Sequence, residues 1–243
     1  MYPTLADLRS LEKTTLKMFC EIGEFARLGG LQADANAAAA AVNEYKGPIN
    51  VHLAFTLDIR LRADRKKTQV RRRVDVGALV QPTPDNKSIQ NATYSLLICR
   101  NAEPTASPIV RKFHIDYEPA KFRNLAEPKP SVHMQFCGNL SPQHLAAGYT
   151  ELRLQPLYPH FEKPRLPLPP TSLALMVNWL LLEFQSDPAS QAVLRNPSWR
   201  AHVAKAERTV LAPYYTAATQ FLTGAGSAHK GFFQAHLYEM ASD

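Results

Sequence analysis

The strongest constraint on the fold is a strict alternation of apolar and other residues at positions 51–62. The odd positions of this stretch all carry large apolar side chains, namely Val51, Leu53, Phe55, Leu57, Ile59 and Leu61. Because successive side chains of a β-strand point to opposite faces, a period of two predicts a half-buried strand. We expect the six apolar side chains to be buried together, and Arg60 and Arg62 to be exposed.

Four more strands are predicted after this one, over residues 68–80, 89–100, 109–117 and 131–137. Each candidate strand is bounded by proline, glycine or other turn-forming residues. Most connections are too short for crossovers, so we expect consecutive strands to pair as an antiparallel meander. The predicted sheet region covers about residues 48–138.

Helices are predicted on both sides of the sheet region. Apolar residues at helical spacing predict one helix over residues 4–28, and an alanine-rich composition predicts a second over residues 32–43. A proline-rich joint at residues 155–170 is expected to run extended over the surface and to lead into a helical region, residues 171–243. The first helix of that region, residues 171–186, is apolar nearly all round, which indicates either burial on most sides or an interface.

These elements together predict an α+β fold in a single domain, residues 1–243. The expected architecture is N-terminal helices, a long five-stranded antiparallel meander, and C-terminal helices packed on its apolar face. Trp179 and Trp199 have apolar neighbours at helical spacing and are predicted to belong to the core, and a bend is expected at Pro213.

The composition narrows the functional classes. Lys and Arg number 28 against 21 Asp and Glu, a net charge of +7, which favours acidic partners such as nucleic acid. The three cysteines form no CxxC pair, and no P-loop, dinucleotide-binding, zincin or hydrolase motif occurs, so neither a cofactor nor a metal is predicted. The longest apolar stretch is too short to span a membrane and the N-terminus does not resemble a secretory signal, so a cytoplasmic protein is expected.

A run of basic residues follows the first strand and continues into the second. It comprises Arg60, Arg62, Arg65, Lys66, Lys67, Arg71, Arg72 and Arg73. Such a concentration of cations at one end of a sheet is typical of an edge that contacts phosphates. Basic residues also protect hairpin tips and edge strands from aggregation, so both interpretations remain open.

Two histidines on the fourth and fifth predicted strands form the most suggestive cluster. His114 and Asp116 share a face of one strand, as His133 and Gln135 do on the next. An antiparallel register that sets His114 opposite His133 also sets Lys112 opposite Gln135, and it keeps the apolar residues together on the other face. The sequence therefore predicts that the two imidazoles lie directly opposite each other.

Two opposed imidazoles can act as acid and base in a proton transfer near neutral pH, and Lys112 can stabilise the charge on a developing phosphorane. That is the chemistry of metal-independent RNA cleavage, and it requires the two histidines to converge in an open cleft. Two other interpretations remain open: the His and Asp side chains bind a divalent metal, or they are ordinary polar positions on a sheet face.

Two functional hypotheses from different classes follow. The first is a protein that acts on or binds nucleic acid, such as a metal-independent ribonuclease or toxin-like effector, with site residues His114, His133, Lys112, Asp116 and Gln135. The alternative is a non-catalytic interaction subunit that binds a protein partner or a second copy through the apolar helix at residues 171–186 or through the basic hairpin at residues 60–73. The sequence leaves open whether the protein is an enzyme.

Overall fold

The computed structural model describes residues 3–28, 49–60, 69–99, 109–118, 131–136, 166–184, 187–220 and 223. Within these ranges, two N-terminal helices precede a six-stranded sheet, and four α-helices follow it. This element order confirms the predicted α+β fold with an antiparallel sheet.

The sheet is a meander in which each described strand pairs antiparallel with its neighbour in the sequence. The strands are β1 (Ile49–Arg60), β2 (Gln69–Pro82), β3 (Ile89–Cys99), β4 (Ile109–Tyr117), β5 (Val132–Phe136) and β6 (Leu166–Pro167). The first five match the five predicted strands, whereas the sequence does not predict β6. This short strand lies in the proline-rich joint and adds to the edge of the sheet, where the missing N–H of a proline is tolerated.

The apolar residues that alternate along β1 are buried where the structure describes their side chains. Val51, Leu53, Phe55 and Leu57 are all buried, and each points into the core. The side chains of Ile59 and Arg60, together with residues 61–68, lie outside the described part of the chain.

The N-terminal segment forms two helices, so the prediction of one helix over residues 4–28 is wrong. Helix α1 (Leu5–Glu21) begins at Thr4, whose hydroxyl accepts from the N–H of Asp7, and α2 (Gly23–Ala26) follows. Between them Ile22 adopts an extended conformation, with φ −83° and ψ 104°. Glycine at position 23 weakens the helix at this point. The predicted alanine-rich helix at residues 32–43 lies outside the described residues.

The C-terminal helices start at polar caps. Helices α3 (Leu173–Glu183), α4 (Pro188–Arg195) and α5 (Pro197–Ala206) begin after Ser172, Asp187 and Asn196, whose side chains accept backbone N–H groups. A π-helical turn over Glu207–Leu211 then leads into α6 (Ala212–Gln220). The turn lies just before Pro213, where a bend is expected, because a proline has no N–H for the regular helical bond.

The core lies between the apolar face of the sheet and the helices. Four aromatic rings meet in it, with centroids 4.5 Å apart for Phe19 and Phe25 and 5.1 Å apart for Phe25 and Trp199, beside Phe55. Trp199 is fully buried, as predicted, but Trp179 is 44% exposed. The prediction that Trp179 belongs to the core is therefore wrong, since it lies on the outer side of α3 with its ring edge-on to Phe113.

Two buried polar residues tie α1 to distant parts of the chain. Glu12 accepts hydrogen bonds from the Tyr94 hydroxyl on β3 (2.8 Å) and from the N–H of Leu173 at the start of α3 (3.0 Å). Burial raises the pKa of Glu12 to about 7, although both donors favour the charged carboxylate.

The second tie joins Thr15 to His202 on α5. The Thr15 hydroxyl donates to the carbonyl of Leu11, so its oxygen is left to accept from Nε2 of His202 at 2.8 Å. Burial, and the nearby charge of Lys205, lower the pKa of His202 to about 4. The histidine is therefore neutral when the protein is folded near neutral pH.

Candidate functional site

Polar residues from four strands share the face of the sheet that points away from the helical core. The pairing register arranges them in three rows across β2 to β5. The rows are Asp75–Leu97–Lys112, Gly77–Ser95–His114–Gln135 and Leu79–Thr93–Asp116–His133. All five predicted catalytic residues therefore lie on one face, as the period-two pattern predicts.

The predicted register between β4 and β5 is wrong by two residues. His114 lies opposite Gln135 and His133 lies opposite Asp116, so the two histidines do not face each other. A shift of two residues keeps each side chain on its face, and it replaces two opposed imidazoles by an imidazole opposite a carboxylate. A carboxylate opposite an imidazole can form a hydrogen bond or an ion pair across the strands, whereas two opposed imidazoles repel each other when both are protonated, which favours the observed register.

Asp116 is the centre of the cluster. Its Oδ1 accepts a hydrogen bond from the hydroxyl of Thr93 at 2.7 Å. Its Oδ2 lies 3.0 Å from Nε2 of His114 and 3.7 Å from Nε2 of His133. One carboxylate thus brings together the two histidines that the sequence singles out.

The environment of Asp116 favours its ionised form. Burial by itself raises the pKa of the carboxyl, but the hydrogen bond and charge of His114, the hydroxyl of Thr93 and the charge of His133 outweigh it. The net result is a pKa below the ordinary value for aspartate. The cluster therefore holds a carboxylate anion between two imidazoles.

On β4 and β5 the polar side chains of one face are buried, whereas several apolar side chains of the other face are partly exposed. His114 is 5% and His133 1% exposed, and Lys112, Asp116 and Gln135 are buried as well. On the other face, by contrast, Phe113, Ile115 and Met134 are only half-buried. The histidines thus converge as the RNA-cleavage hypothesis requires, but they do so in a buried cluster and not in an open cleft.

The basic run divides between the two faces of β2. Arg71 is exposed on the face that carries the histidine cluster, whereas Arg72 lies on the other face beside Leu57. Arg73 shares the face of Arg71 but is ion-paired with Asp75, with Nη2 to Oδ1 at 2.9 Å. The side chain of Arg60 and the residues Arg62, Arg65, Lys66 and Lys67 lie outside the described part of the chain. One phosphate-contacting row built from the whole run is therefore not supported on β2.

Sequence reasoning missed Thr93 and Ser95, which border the cluster on β3. A signal was present, because Asn91, Thr93 and Ser95 alternate with apolar residues and so belong to the polar face. It also missed Glu12, the single acidic residue in the buried stripe of α1. An acid four residues from Leu8 and from Leu16 is the pattern that reveals it.

Among the described residues, no group of three or more His, Cys, Asp and Glu side chains is arranged to hold a metal ion. None of the described helices is long and apolar enough to cross a membrane. Comparison with protein-family models, with curated proteins and with solved structures finds no match to this chain.

Proposed function

We propose that the protein acts on nucleic acid and that its histidine cluster cleaves RNA without a metal, in a state of the protein that opens this buried face to the substrate. The observation that carries this proposal is the convergence of His114 and His133 on the single carboxylate of Asp116. Burying an anion and two imidazoles costs several kcal/mol unless their interactions compensate, so such a cluster is a candidate functional site.

Positive charge on the face of the sheet that carries the cluster favours a phosphodiester as the substrate. Lys112 lies one row from His114 on the same strand, and Arg71 lies on the same face of the sheet. Both cations can attract a phosphate, and we assign Lys112, two residues from His114 on the same face of β4, to stabilise a pentacoordinate phosphorane. Gln135, directly across from His114, offers an amide for orienting the same group.

The proposed reaction uses the 2′-hydroxyl of RNA as the nucleophile. One imidazole accepts the proton of that hydroxyl while the 2′-oxygen forms a bond to phosphorus. The bond from phosphorus to the 5′-oxygen breaks, and the other imidazole, in its protonated form, gives its proton to that oxygen. The products are a 2′,3′-cyclic phosphate and a 5′-hydroxyl, and no redox change or cofactor is involved.

The proposal is tested with RNA and DNA oligonucleotides of the same sequence, at low salt and with EDTA present. We expect cleavage of RNA only, with a bell-shaped dependence of rate on pH. His114→Gln and His133→Gln should each lower the rate by about 10²–10⁴-fold, and circular dichroism at the assay temperature establishes that both variants are folded. Asn91→Ala, on the same face but outside the cluster, serves as the matched control.

The same experiment can reject the proposal. Because the cluster is buried, access is measured directly by reaction of His114 with diethyl pyrocarbonate, read by mass spectrometry. If the wild-type protein neither cleaves RNA nor reacts at His114, the proposal is rejected and the cluster has a structural role in the sheet.

A second candidate function, a protein-interaction subunit, is favoured by the outer side of α3. Trp179 and Leu182 on this helix are 44% and 47% exposed, although the rest of the helix is largely buried. The Trp179 ring lies edge-on to Phe113 of β4, and Phe113 and Ile115 are half-buried on the same face of that strand. Contiguous exposed apolar surface of this kind is typical of a protein interface.

For both candidates we propose the cytoplasm as the compartment. The support is that the three cysteines of the sequence are odd in number, widely separated and without a CxxC pair, whereas paired cysteines are common in secreted proteins.

A further inference from the structure

Thr93 on β3 is the hydroxyl-bearing partner of Asp116 in the cluster. It lies directly opposite Asp116 in the pairing register, and its hydroxyl donates to Oδ1 at 2.7 Å. That bond occupies one of the two carboxylate oxygens. Oδ2 is therefore the oxygen that both imidazoles approach.

The two imidazoles approach Oδ2 unequally. The 3.0 Å separation to Nε2 of His114 is a hydrogen-bond distance, whereas the 3.7 Å separation to Nε2 of His133 is too long for one. Because Asp116 is an anion, it accepts a proton-bearing nitrogen, so His114 carries its proton on Nε2. When His114 is protonated, both of its nitrogens carry a proton, and when it is neutral, Nδ1 is the unprotonated acceptor.

Nδ1 of His114 is buried and has no hydrogen-bond partner within the described part of the chain. A buried acceptor without a donor is unfavourable, and a ligand that brings a donor would relieve that cost. This atom is thus the place in the cluster where a substrate hydroxyl is best accepted.

We infer that Thr93 is a positioning residue that fixes Asp116, so that Asp116 holds the proton of His114 on Nε2 and leaves Nδ1 of His114 as the base of the site. The role of Nδ1 as a base rests on the proposed function. The tautomer of His114, with its proton on Nε2, does not depend on any substrate. His133, which is farther from Oδ2, is then the proton donor to the 5′-oxygen.

The test compares Thr93→Val, which removes the hydroxyl at nearly constant shape, with Thr93→Ser, which keeps it. Nitrogen-15 NMR of the imidazoles should show His114 protonated on Nε2 in the wild type and in Thr93→Ser. In Thr93→Val a substantial population protonated on Nδ1 should appear, and carbon-13 NMR should show a raised pKa for Asp116, because the Thr93 bond favours the ionised carboxyl. Turnover of RNA should fall about tenfold with little change in KM, and Thr93→Ser should restore it.

The outcomes separate the inference from the function on which it builds. An unchanged tautomer of His114 in Thr93→Val, in a protein with a native circular dichroism spectrum, overturns the positioning role. A changed tautomer in a protein that does not cleave RNA leaves that role intact and rejects the proposed function. If Thr93→Val does not fold, Thr93→Ala against Thr93→Ser gives the same comparison.

Discussion

Glu12 and His202 are buried ionisable residues whose protonation changes on folding in opposite directions. The folded pKa of Glu12 is about 7 against 4.5 for the free group, so its contribution to stability is full below about pH 4.5 and is lost as pH rises through 7. The folded pKa of His202 is about 4 against 6.5, so its contribution is full above about pH 6.5 and is lost as pH falls through 4. Between pH 4.5 and 6.5 the two contributions therefore change with opposite slopes.

In the wild type, the pH dependences of stability that Glu12 and His202 contribute partly cancel. Replacing either residue alone should reveal the pH dependence contributed by the other. Relative to wild type, the free energy of unfolding of Glu12→Gln should rise by about 3 kcal/mol from pH 4.5 to 7, since 2.5 pH units correspond to roughly that energy. His202→Gln should show a fall of about the same size, roughly 3 kcal/mol, from pH 4 to 6.5. Urea denaturation at a series of pH values measures both, and profiles parallel to that of the wild type would contradict the assignment.

Period-two alternation was enough to assign His114, Asp116, His133 and Gln135 to one face, because parity along a strand fixes the face. Thr93 was not predicted as part of the site, because its role depends on which residue lies across the strand pair. That information belongs to the register and not to either strand alone.

At the scale of elements, the strand limits were predictable and the register was not. Turn-forming residues bound each of the first five strands, and the structure agrees closely with those limits. The pattern of polar and apolar residues on β4 and β5, however, is unchanged by any even shift, so it fits both the predicted and the observed register. The break at Ile22 was missed for a similar reason, since the apolar spacing continues across it.

The apolar surface formed by Trp179, Leu182 and the half-buried face of β4 leads to a prediction about self-association. If the interaction-subunit candidate is right and the partner is a second copy, the wild type should sediment as a dimer as its concentration is raised. Trp179→Glu and Leu182→Glu should each give a monomer, because a buried unpaired charge is strongly unfavourable in an apolar contact.

Gln220→Glu is the matched control, since it adds the same charge at an exposed position on α6 and should not change the assembly. Melting temperatures establish that the variants are folded. A wild type that remains monomeric at every concentration excludes a second copy as the partner of this surface.

For the whole molecule, the distribution of charge matters more than the net value of +7. Arg71 and Arg72 are adjacent in sequence but lie on opposite faces of β2, and only Arg71 shares a face with the histidine cluster. Arg73 is already neutralised in part by Asp75. Of these three arginines, Arg71 therefore contributes most to the positive potential of the face that carries the cluster.

This arrangement makes a face-specific prediction for nucleic-acid binding. Arg71→Ala should weaken binding to RNA and should lower the slope of log affinity against log salt concentration by about 0.7–0.9. Arg72→Ala removes an equal charge from the other face and should leave the slope unchanged. Fluorescence anisotropy over a range of salt concentrations measures both, and equal effects of the two substitutions would reject a binding surface on the histidine face.

The hydrogen bonds that join α1 to the C-terminal helices can form only late in synthesis. Glu12 bonds to Leu173 and Thr15 to His202, partners that lie 161 and 187 residues later in the chain. At ribosomal rates of roughly 5–20 residues per second, His202 is made roughly 10–40 s after Thr15. During that interval the meander can form from neighbouring strands, while the apolar stripe of α1 waits without its final cover. The packing of α1 into its final place is therefore delayed until α3 and α5 have been made.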